Sequence, residues 1–321
     1  MTPPAPASPK VVTFGETMAL VDATTIGPFF RGAQTVLSHG GAESNLAIAL
    51  ARLNVPVAWI GCLGEDSLGD LVAREITAEG VQAHIRRVPD APTGLMLKEP
   101  RTVQHTKVWY YRKGSAGSQL AETDLDPHLI VGADVLHVTG ITPALSESAA
   151  AAVTAACTFA RRAGTLVSLD VNYRSRLWSR DEAGTALRAL MPLVDIVFAG
   201  LDEAALLLGA ELPPTVAVRA LADLGPSEVL LKRGSRGGIA FENGTSLSVP
   251  ARPVRVLDPV GAGDAFAAGY LYERLRGTDL AGRLSTAVIS GAFACLGRGD
   301  WESMPREHEL SLLESVEDVM R

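Results

Sequence analysis

The chain has 321 residues, of which 47% are hydrophobic, and it carries a formal net charge of −7. A chain of this length and composition can bury a large core, and its acidic charge argues against nucleic acid or an anionic membrane surface as a partner. No run of 18 or more uncharged apolar residues is present, so the sequence predicts no membrane-spanning helix.

The first residues, MTPPAPASPK, are rich in proline and alanine and lack an apolar segment. This composition predicts a disordered tail over residues 1–9, rather than a signal peptide, followed by one domain over residues 10–321. The three cysteines, Cys62, Cys157 and Cys295, are far apart and lie among apolar residues. We expect buried free thiols in a reducing compartment.

Short apolar runs alternate with longer helical patterns along the chain. The predicted strands are Val11–Gly15, Val57–Cys62, Val135–Val138, Leu166–Asp170, Ile196–Ala199 and Val229–Lys232. The predicted helices are Ala42–Leu53, Leu68–Glu79, Glu147–Arg162, Ala204–Leu208, Val216–Leu224, Asp264–Leu275 and Arg283–Leu296, with a final amphipathic stretch over Glu307–Met320. This alternation predicts an α/β fold in which helices cover both faces of a mostly parallel sheet.

Two segments break the alternation, Thr17–Ser38 and Thr93–Ser115. Both alternate apolar and polar residues without an intervening helical pattern, as strands do in an antiparallel sheet with one face in water. Ligands of open α/β sheets bind outside the carboxyl ends of the strands. We therefore expect the two segments to form a small β-lid over a site at that edge.

The string DPVGAGDAF, residues 258–266, leads directly into the helical pattern AFAAGYLYERL. Gly261 and Gly263 have no Cβ, so the backbone can approach a phosphate closely, and the N–H groups of the first helical turn point at that anion. The helix dipole favours the ionised form of Asp264, which suits a base that takes a proton from an attacking hydroxyl. For these residues alone, an aspartate that caps an ordinary helix is the alternative.

The same string resembles the carboxy-terminal signature of the ribokinase-like, or phosphofructokinase-B type, carbohydrate kinases, and the resemblance covers nearly the whole chain after the tail. Near the amino end, GGAESN, residues 40–45, resembles the first sugar-binding segment of this family, although a glycine turn before a core helix is the ordinary interpretation of that segment alone. The resemblance implies a ribokinase-like three-layer fold with a small β-lid, and Asp264 as the catalytic residue. It also implies ATP and Mg²⁺ as cofactors, and it leaves a monovalent cation open.

Two further segments, YYRKGSAGS and DVNYR with the following LW, resemble the 2-keto-3-deoxygluconate kinases of this family. A keto-deoxy acid carries a carboxylate, and the planar guanidinium of arginine can donate two hydrogen bonds to it. Arg112 and Arg174 are therefore predicted to bind the substrate, whereas either arginine alone would be interpreted as a solvated charge. The predicted substrate-binding residues are Gly41, Asn45, Tyr110, Arg112, Arg174, Asp264 and Asp300.

On the nucleotide side, the glycine-rich turn KRGSRGG, residues 232–238, follows a buried strand pattern. The family resemblance implies that this turn borders ATP, and backbone amides and basic side chains both favour phosphate. On these residues alone, a hairpin turn is the alternative. The predicted nucleotide-binding residues are Asn172, Arg174, Lys232, Gly234, Gly237, Gly261, Ala262, Gly263 and Asp264. Relatives often carry an N-x-x-E box that orders water around Mg²⁺; the matching segment here is GLDE, so Glu203 is predicted to bind the metal through water without the usual asparagine.

These features predict a cytoplasmic, ATP-dependent kinase that converts 2-keto-3-deoxygluconate to its 6-phosphate. A kinase of a neutral sugar such as fructose, or of a nucleoside, is the alternative on the same fold, and the paired arginines disfavour it. A catalytically silent nucleotide or sugar sensor is a further alternative, and the intact GAGD string disfavours that. Members of the family often pair through the lid, which predicts a homo-oligomer, while no nucleic-acid or membrane partner is expected.

Overall fold

The computed structural model describes residues 8–102 and 105–313, in which strands and helices alternate. The strands are β1 (Val11–Phe14), β2 (Met18–Ala23), β3 (Thr35–Gly40), β4 (Val57–Gly64), β5 (Gln82–Val88), β6 (Leu95–Pro100), β7 (Thr106–Tyr111), β8 (Val135–Thr139), β9 (Leu166–Asp170), β10 (Ile196–Gly200), β11 (Glu228–Lys232), β12 (Gly238–Glu242) and β13 (Thr245–Val249). The α-helices are α1 (Ala42–Arg52), α2 (Ser67–Ala78), α3 (Pro127–Gly132), α4 (Glu147–Ala163), α5 (Arg180–Leu190), α6 (Leu201–Leu208), α7 (Pro214–Ala222), α8 (Ala262–Leu275) and α9 (Leu280–Ala294).

Among the described residues, nine strands form one central sheet in the order β13-β12-β11-β10-β9-β8-β1-β4-β5. The seven strands from β11 to β5 run parallel, and β12 and β13 extend the sheet as an antiparallel hairpin. Successive side chains of a strand point to opposite faces, so alternate residues of these strands enter two separate cores. One core packs against α4–α7 and the other against α1, α2, α8 and α9. The predicted three-layer α/β fold is confirmed.

Four strands form a second, smaller sheet in the order β3-β2-β6-β7, to which both segments predicted to leave the central sheet contribute. The expectation of a purely antiparallel sheet is wrong, because β2 pairs with β6 in parallel. The reason is topological. β2 follows β1 and β6 follows β5, and these two strands run in the same direction in the central sheet.

Local signals in the sequence explain several helix ends. Ser179 accepts a hydrogen bond from the backbone N–H of Glu182 at the start of α5, and the Glu182 side chain accepts one from the Ser179 N–H in return. This reciprocal pair satisfies two backbone donors that the first helical turn leaves free. At the other end of α4, Gly164 takes a left-handed conformation with a φ of 82°, which glycine adopts without steric cost.

The remaining expectations have mixed outcomes. The helical patterns did not reveal α3 and α5, and the apolar runs did not reveal β5, β12 and β13. The hairpin alternative for residues 232–238 anticipated the last two. The final amphipathic stretch is a 3-10 helix over Glu307–Leu313, and the rest of it lies outside the described residues, as do residues 1–7 of the predicted tail. The three cysteines are free; Cys62 and Cys157 are buried, whereas Cys295 is partly exposed. No helix within the described part of the chain is long and apolar enough to span a membrane.

Candidate active site

The carboxyl ends of the parallel strands, where ligands of such sheets bind, carry polar side chains. Asp170 ends β9, Lys232 ends β11 and Thr139 ends β8. The amino ends of α1 and α8 reach the same edge, because Gly41 and Gly261 line one cavity there. The fold therefore gathers two helix amino ends, each with backbone N–H groups free for an anion, beside charged side chains.

The turn that begins α8 depends on glycine. Gly261 is the N-cap of the helix and has a φ of 75°, a left-handed conformation that other residues rarely adopt. A Cβ at Gly261 would lie 1.8 Å from the carbonyl oxygen of Asp300. Both conditions exclude a side chain, so the close packing of the turn explains the first glycine of the GAGD string. A Cβ at Gly263 would lie 3.3 Å from the Lys232 ammonium, so the turn also meets the end of β11.

Asp264 lies on the first turn of α8 and accepts a hydrogen bond of 2.9 Å from the side-chain amide of Asn45 on α1. Burial raises the pKa of Asp264 to about 7, although the Asn45 hydrogen bond and the positive charges of Arg174 and Lys232 oppose the rise. The sequence had led us to expect that the helix dipole would favour the ionised form. The structure differs because desolvation outweighs the dipole and leaves a carboxyl group that titrates near neutral pH.

A cavity of about 930 Å³ opens beside Asp264 between the small sheet and the central sheet. It is lined by every residue predicted to bind substrate: Gly41, Asn45, Tyr110, Arg112, Arg174, Asp264 and Asp300. Lys113 and Arg176 line it as well, so four cationic side chains face two carboxyl groups. In a protein with a net charge of −7, this is a local basic pocket of the kind that an anionic ligand needs.

Arg112 is fixed from behind by Glu16, a residue that the sequence analysis did not single out. Its Nε donates to Glu16 Oε2 over 2.7 Å, and the terminal Nη2 forms an ion pair with the same oxygen. Ser115 donates to the other oxygen of Glu16, whose side chain is only 1% exposed. The only sequence signal for this role is a glutamate two residues after the last residue of β1, just beyond the end of a parallel strand.

Asp300 also lines the cavity. Its residue is 6% exposed, and a Cβ at Gly40 would lie 2.2 Å from its Oδ2 atom, so the side chain packs directly on the glycine pair before α1. Its Oδ1 atom lies 2.5 Å from the ammonium of Lys98 on β6. Lys98 was not predicted either, because a single lysine within a strand pattern gives no sign of its partner.

Of the residues predicted on the nucleotide side, Lys232 is the most constrained. Its ammonium lies 2.7 Å from both carboxylate oxygens of Asp170. Burial alone would lower the pKa of Lys232, but the carboxylates of Asp170 and Glu203 together outweigh it and raise the pKa, so the lysine stays protonated. Asn172 follows with a φ of 39°, and its N–H donates to Asp170 Oδ1 over 3.2 Å. The Lys232 ammonium, paired with the Asp170 carboxylate, therefore lies at the strand ends beside the α8 turn.

The glycines of the 232–238 turn differ from one another. Gly234 has a φ of 55° and open space where a Cβ would stand. Gly237 has a φ of 79°, and its Cβ would lie 2.0 Å from the carbonyl oxygen of Val249, so it is required by the β12–β13 hairpin. Neither they nor Asn172, Lys232, Ala262 and Gly263 line the cavity beside Asp264.

Glu203, predicted to bind a metal through water, uses both carboxylate oxygens within the protein. It accepts the N–H groups of Gly200 and Tyr173, over 2.5 and 2.9 Å, and so caps the start of α6. Among residues 8–102 and 105–313, no three His, Cys, Asp or Glu side chains are grouped closely enough to hold a metal ion. Mg²⁺ usually keeps several waters and binds through one or two carboxylates together with substrate phosphates, so a metal that arrives with a nucleotide needs no such group of side chains. The oxygens of Asp170 and Glu203 already accept from protein donors, so either carboxylate would contact such a metal through water.

The site combines a carboxyl group on a helix, a helix amino end that can bind an anion, and a basic cavity at the carboxyl edge of a parallel sheet. Such a site is suited to phosphoryl transfer to a hydroxyl group. The chain belongs to the pfkB family of carbohydrate kinases, whose family model matches residues 8–307. The family predicted from the sequence is thereby confirmed.

Curated relatives resemble the chain over most of its length. It is 34% identical to the 2-dehydro-3-deoxygluconokinase of Thermoproteus tenax over 95% of this chain and 94% of the relative. It is 36% identical to the 2-dehydro-3-deoxygluconokinase of Bacillus subtilis over 94% of both chains. Among solved structures, a putative ribokinase II from E. coli in complex with ATP and Mg²⁺ superposes with a TM-score of 0.87, at 27% identity over 95% of this chain and 99% of that chain.

Proposed function

We propose that the protein transfers the γ-phosphoryl group of ATP to 2-keto-3-deoxygluconate, forming 2-keto-3-deoxy-6-phosphogluconate and ADP. The observation that carries this proposal is the cavity at Asp264, which four cationic side chains line in an acidic protein. A neutral sugar does not require such a pocket, whereas a sugar acid does. The relatives from Thermoproteus tenax and Bacillus subtilis are both named for this substrate.

In the proposed reaction, Asp264 is the base. It takes the proton from the 6-hydroxyl group of the sugar acid, whose oxygen attacks the γ-phosphorus while the bond to ADP breaks. The backbone N–H groups of Gly261–Asp264 lie at the amino end of α8 and stabilise the charge on the transferred group. Asn45 orients the carboxyl group through its 2.9 Å hydrogen bond. Positioning and electrostatics supply most of the rate enhancement in such transfers.

The nucleotide lies, in this proposal, across the strand ends that carry Asn172, Lys232 and the 232–238 turn. Mg²⁺, held by the phosphates and by water near Asp170 and Glu203, would neutralise phosphate charge during transfer. The solved complex of the structural relative with ATP and Mg²⁺ supports the use of both by this chain. The family resemblance leaves a monovalent cation open, and comparing rates in potassium and in tetramethylammonium salts decides whether one contributes.

We further propose that Arg112 and Arg174 bind the substrate carboxylate. Substituting each arginine tests whether the substrate is a sugar acid or a neutral sugar. A charge-assisted hydrogen bond contributes about 1.5–3 kcal/mol, so Arg174→Ala should lower kcat/KM for the sugar acid by roughly one to two orders of magnitude. Phosphorylation of fructose or ribose should barely change, because these sugars offer the guanidinium no partner. Arg112→Ala would leave Glu16 buried without its partner, so Arg112→Lys is measured beside it.

Arg219→Ala, on the exposed surface of α7, is the matched control and should leave both activities unchanged. Equal losses on the acid and on the neutral sugar would contradict the carboxylate assignment. A wild-type enzyme that prefers a neutral sugar would contradict the proposed substrate and favour the fructokinase-like alternative.

The outer surface of the small sheet supports the proposal of a homo-oligomer. Leu37, Trp109 and Tyr111 are large apolar residues that are 40–62% exposed there. Such a cluster is typical of an interface rather than of a free surface.

We also propose that the small sheet acts as a lid and that residues 10–321 form one kinase domain. We propose further that the protein works in the cytoplasm, which the free cysteines support.

A further inference from the structure

Lys98 is a buried charge in the small sheet. The residue is 3% exposed, and its ammonium lies 2.5 Å from Asp300 Oδ1 and 3.6 Å from Asp258 Oδ2. A third carboxyl group, on Asp22, is on the neighbouring strand, where Asp22 is directly in register with Lys98. Burial alone would lower the pKa of Lys98, but Asp300 and the other two carboxyl groups outweigh it and raise the pKa. The lysine is therefore a positive charge surrounded by carboxylates.

The partners of Lys98 come from three distant parts of the chain. Asp22 belongs to the small sheet, Asp258 to the loop before α8, and Asp300 to the loop after α9. An ammonium group loses several kcal/mol of hydration when it is buried, and close carboxylates must compensate for that loss. The ion pairs therefore form fully only when the small sheet rests on both loops.

The two loops are those that shape the active site. Asp258 accepts the N–H of Val260 and so stabilises the start of the α8 turn, over a distance of 3.1 Å. The carbonyl oxygen of Asp300 packs on Gly261, and its side chain packs on Gly40 at the wall of the cavity. Lys98 thus contacts one residue on each side of the anion-binding turn without lining the cavity itself.

We propose that Lys98 is a positioning residue that couples closure of the small sheet to the assembly of the sugar pocket and of the α8 turn. Through Asp300 it holds a wall of the sugar pocket, and through Asp258 it holds the turn that stabilises the transferred phosphoryl group. The inference rests on the proposed kinase function. It assigns a role in that function to Lys98, a residue of the small sheet. It predicts separate effects on sugar binding and on turnover, which a lysine of merely structural importance would not produce.

Two substitutions separate these effects. Lys98→Gln removes the charge, and it should raise KM for the sugar about tenfold or more and lower kcat, while KM for ATP stays within about twofold. Asp258→Asn keeps the acceptor for Val260 and the Lys98–Asp300 pair, so it should fold normally. It should lower kcat by roughly threefold to tenfold and leave KM for the sugar nearly unchanged.

Lys98→Arg, which keeps the charge, should recover most of the activity that Lys98→Gln loses. Lys10→Gln, at an exposed lysine just before β1, is the control and should behave as wild type. The melting temperature and oligomeric state of every variant are measured beside the kinetics, and assays are run well below each melting temperature.

The inference is overturned if Lys98→Gln melts earlier but keeps the wild-type KM for the sugar, or if it raises the KM values of sugar and ATP equally. Should Lys98→Gln fail to fold, Asp258→Asn decides, and an unchanged kcat in that variant overturns the coupling. All assays use the sugar that the wild-type enzyme phosphorylates fastest. A wild type inactive on keto-deoxy acids would therefore contradict the proposed substrate, and the Lys98 measurement would still be made on the preferred sugar.

Discussion

Replacing Asp264 with asparagine tests the proposed base with little structural disturbance. The asparagine side chain has nearly the shape of the carboxyl group and can still accept the 2.9 Å hydrogen bond from Asn45. It cannot accept a proton from the sugar hydroxyl. Loss of a general base costs about 10²–10⁴-fold in rate, which corresponds to roughly 3–5 kcal/mol of barrier. We expect Asp264→Asn to lower kcat by that factor while the dissociation constants of ATP and sugar acid stay within about threefold.

The pH dependence gives the same test a second readout. Burial raises the pKa of Asp264 to about 7, so the carboxyl group is protonated and inactive as a base at lower pH. The wild-type rate should therefore rise as the pH increases through about 7 and then level off. The small residual rate of Asp264→Asn should lack that inflection. Asp202→Asn, an aspartate of α6 that does not line the cavity, is the matched control.

Single-turnover phosphorylation by rapid quench, followed from roughly pH 5 to 9, measures the rate of the chemical step without product release. A variant that keeps more than about a tenth of the wild-type kcat would refute the assignment of Asp264 as the base. A pH inflection that persists unchanged in Asp264→Asn would refute it as well, because the titrating group would then be another residue.

Two other predictions follow from the packing. Gly261→Ala should lower kcat by about 10²-fold or more and reduce the melting temperature, because its Cβ would meet the carbonyl of Asp300. Gly244→Ala is the control for backbone strain alone, because Gly244 has a φ of 79° and no atom near the position of the added Cβ. A variant Gly261→Ala that resembles Gly244→Ala would contradict the close packing of the turn. Trp109→Ser with Tyr111→Ser should shift the protein towards monomer in light scattering while the variant stays folded, and an unchanged mass would contradict the proposed interface.

Local sequence signals predicted the parts of the site that depend on a few neighbouring residues. The GAGD string singled out Asp264 as the candidate base because glycines and an aspartate at the start of a helix have a specific chemical use at that spacing. The alternation of strands and helices identified the sheet whose edge carries Lys232. The family resemblance identified Arg112 and Arg174, which the structure brings to the same cavity as Asp264.

Contacts between distant segments could not be predicted in this way. Lys98 and Asp300 are 202 residues apart, and Arg112 and Glu16 are 96 apart, so neither pair leaves a periodic or spaced pattern in the chain. The pKa of Asp264 was misjudged for the same reason, because the burial that raises it depends on how α1 and the small sheet pack around α8. The sequence indicated that Asp264 lies at a helix amino end, but it did not indicate how far burial would desolvate the carboxyl group.

The substrate preference of the wild-type enzyme tests the account most directly. Initial rates of ADP formation should be compared, with ATP and Mg²⁺, on 2-keto-3-deoxygluconate, 2-keto-3-deoxygalactonate, fructose, ribose and a nucleoside. We expect kcat/KM for the keto-deoxy acids to exceed that for every neutral substrate by at least about tenfold, because only the acids offer a carboxylate to the cationic cavity. A preference for fructose, ribose or the nucleoside would contradict the proposed function, and no turnover of any sugar would contradict the assignment of this site to phosphoryl transfer.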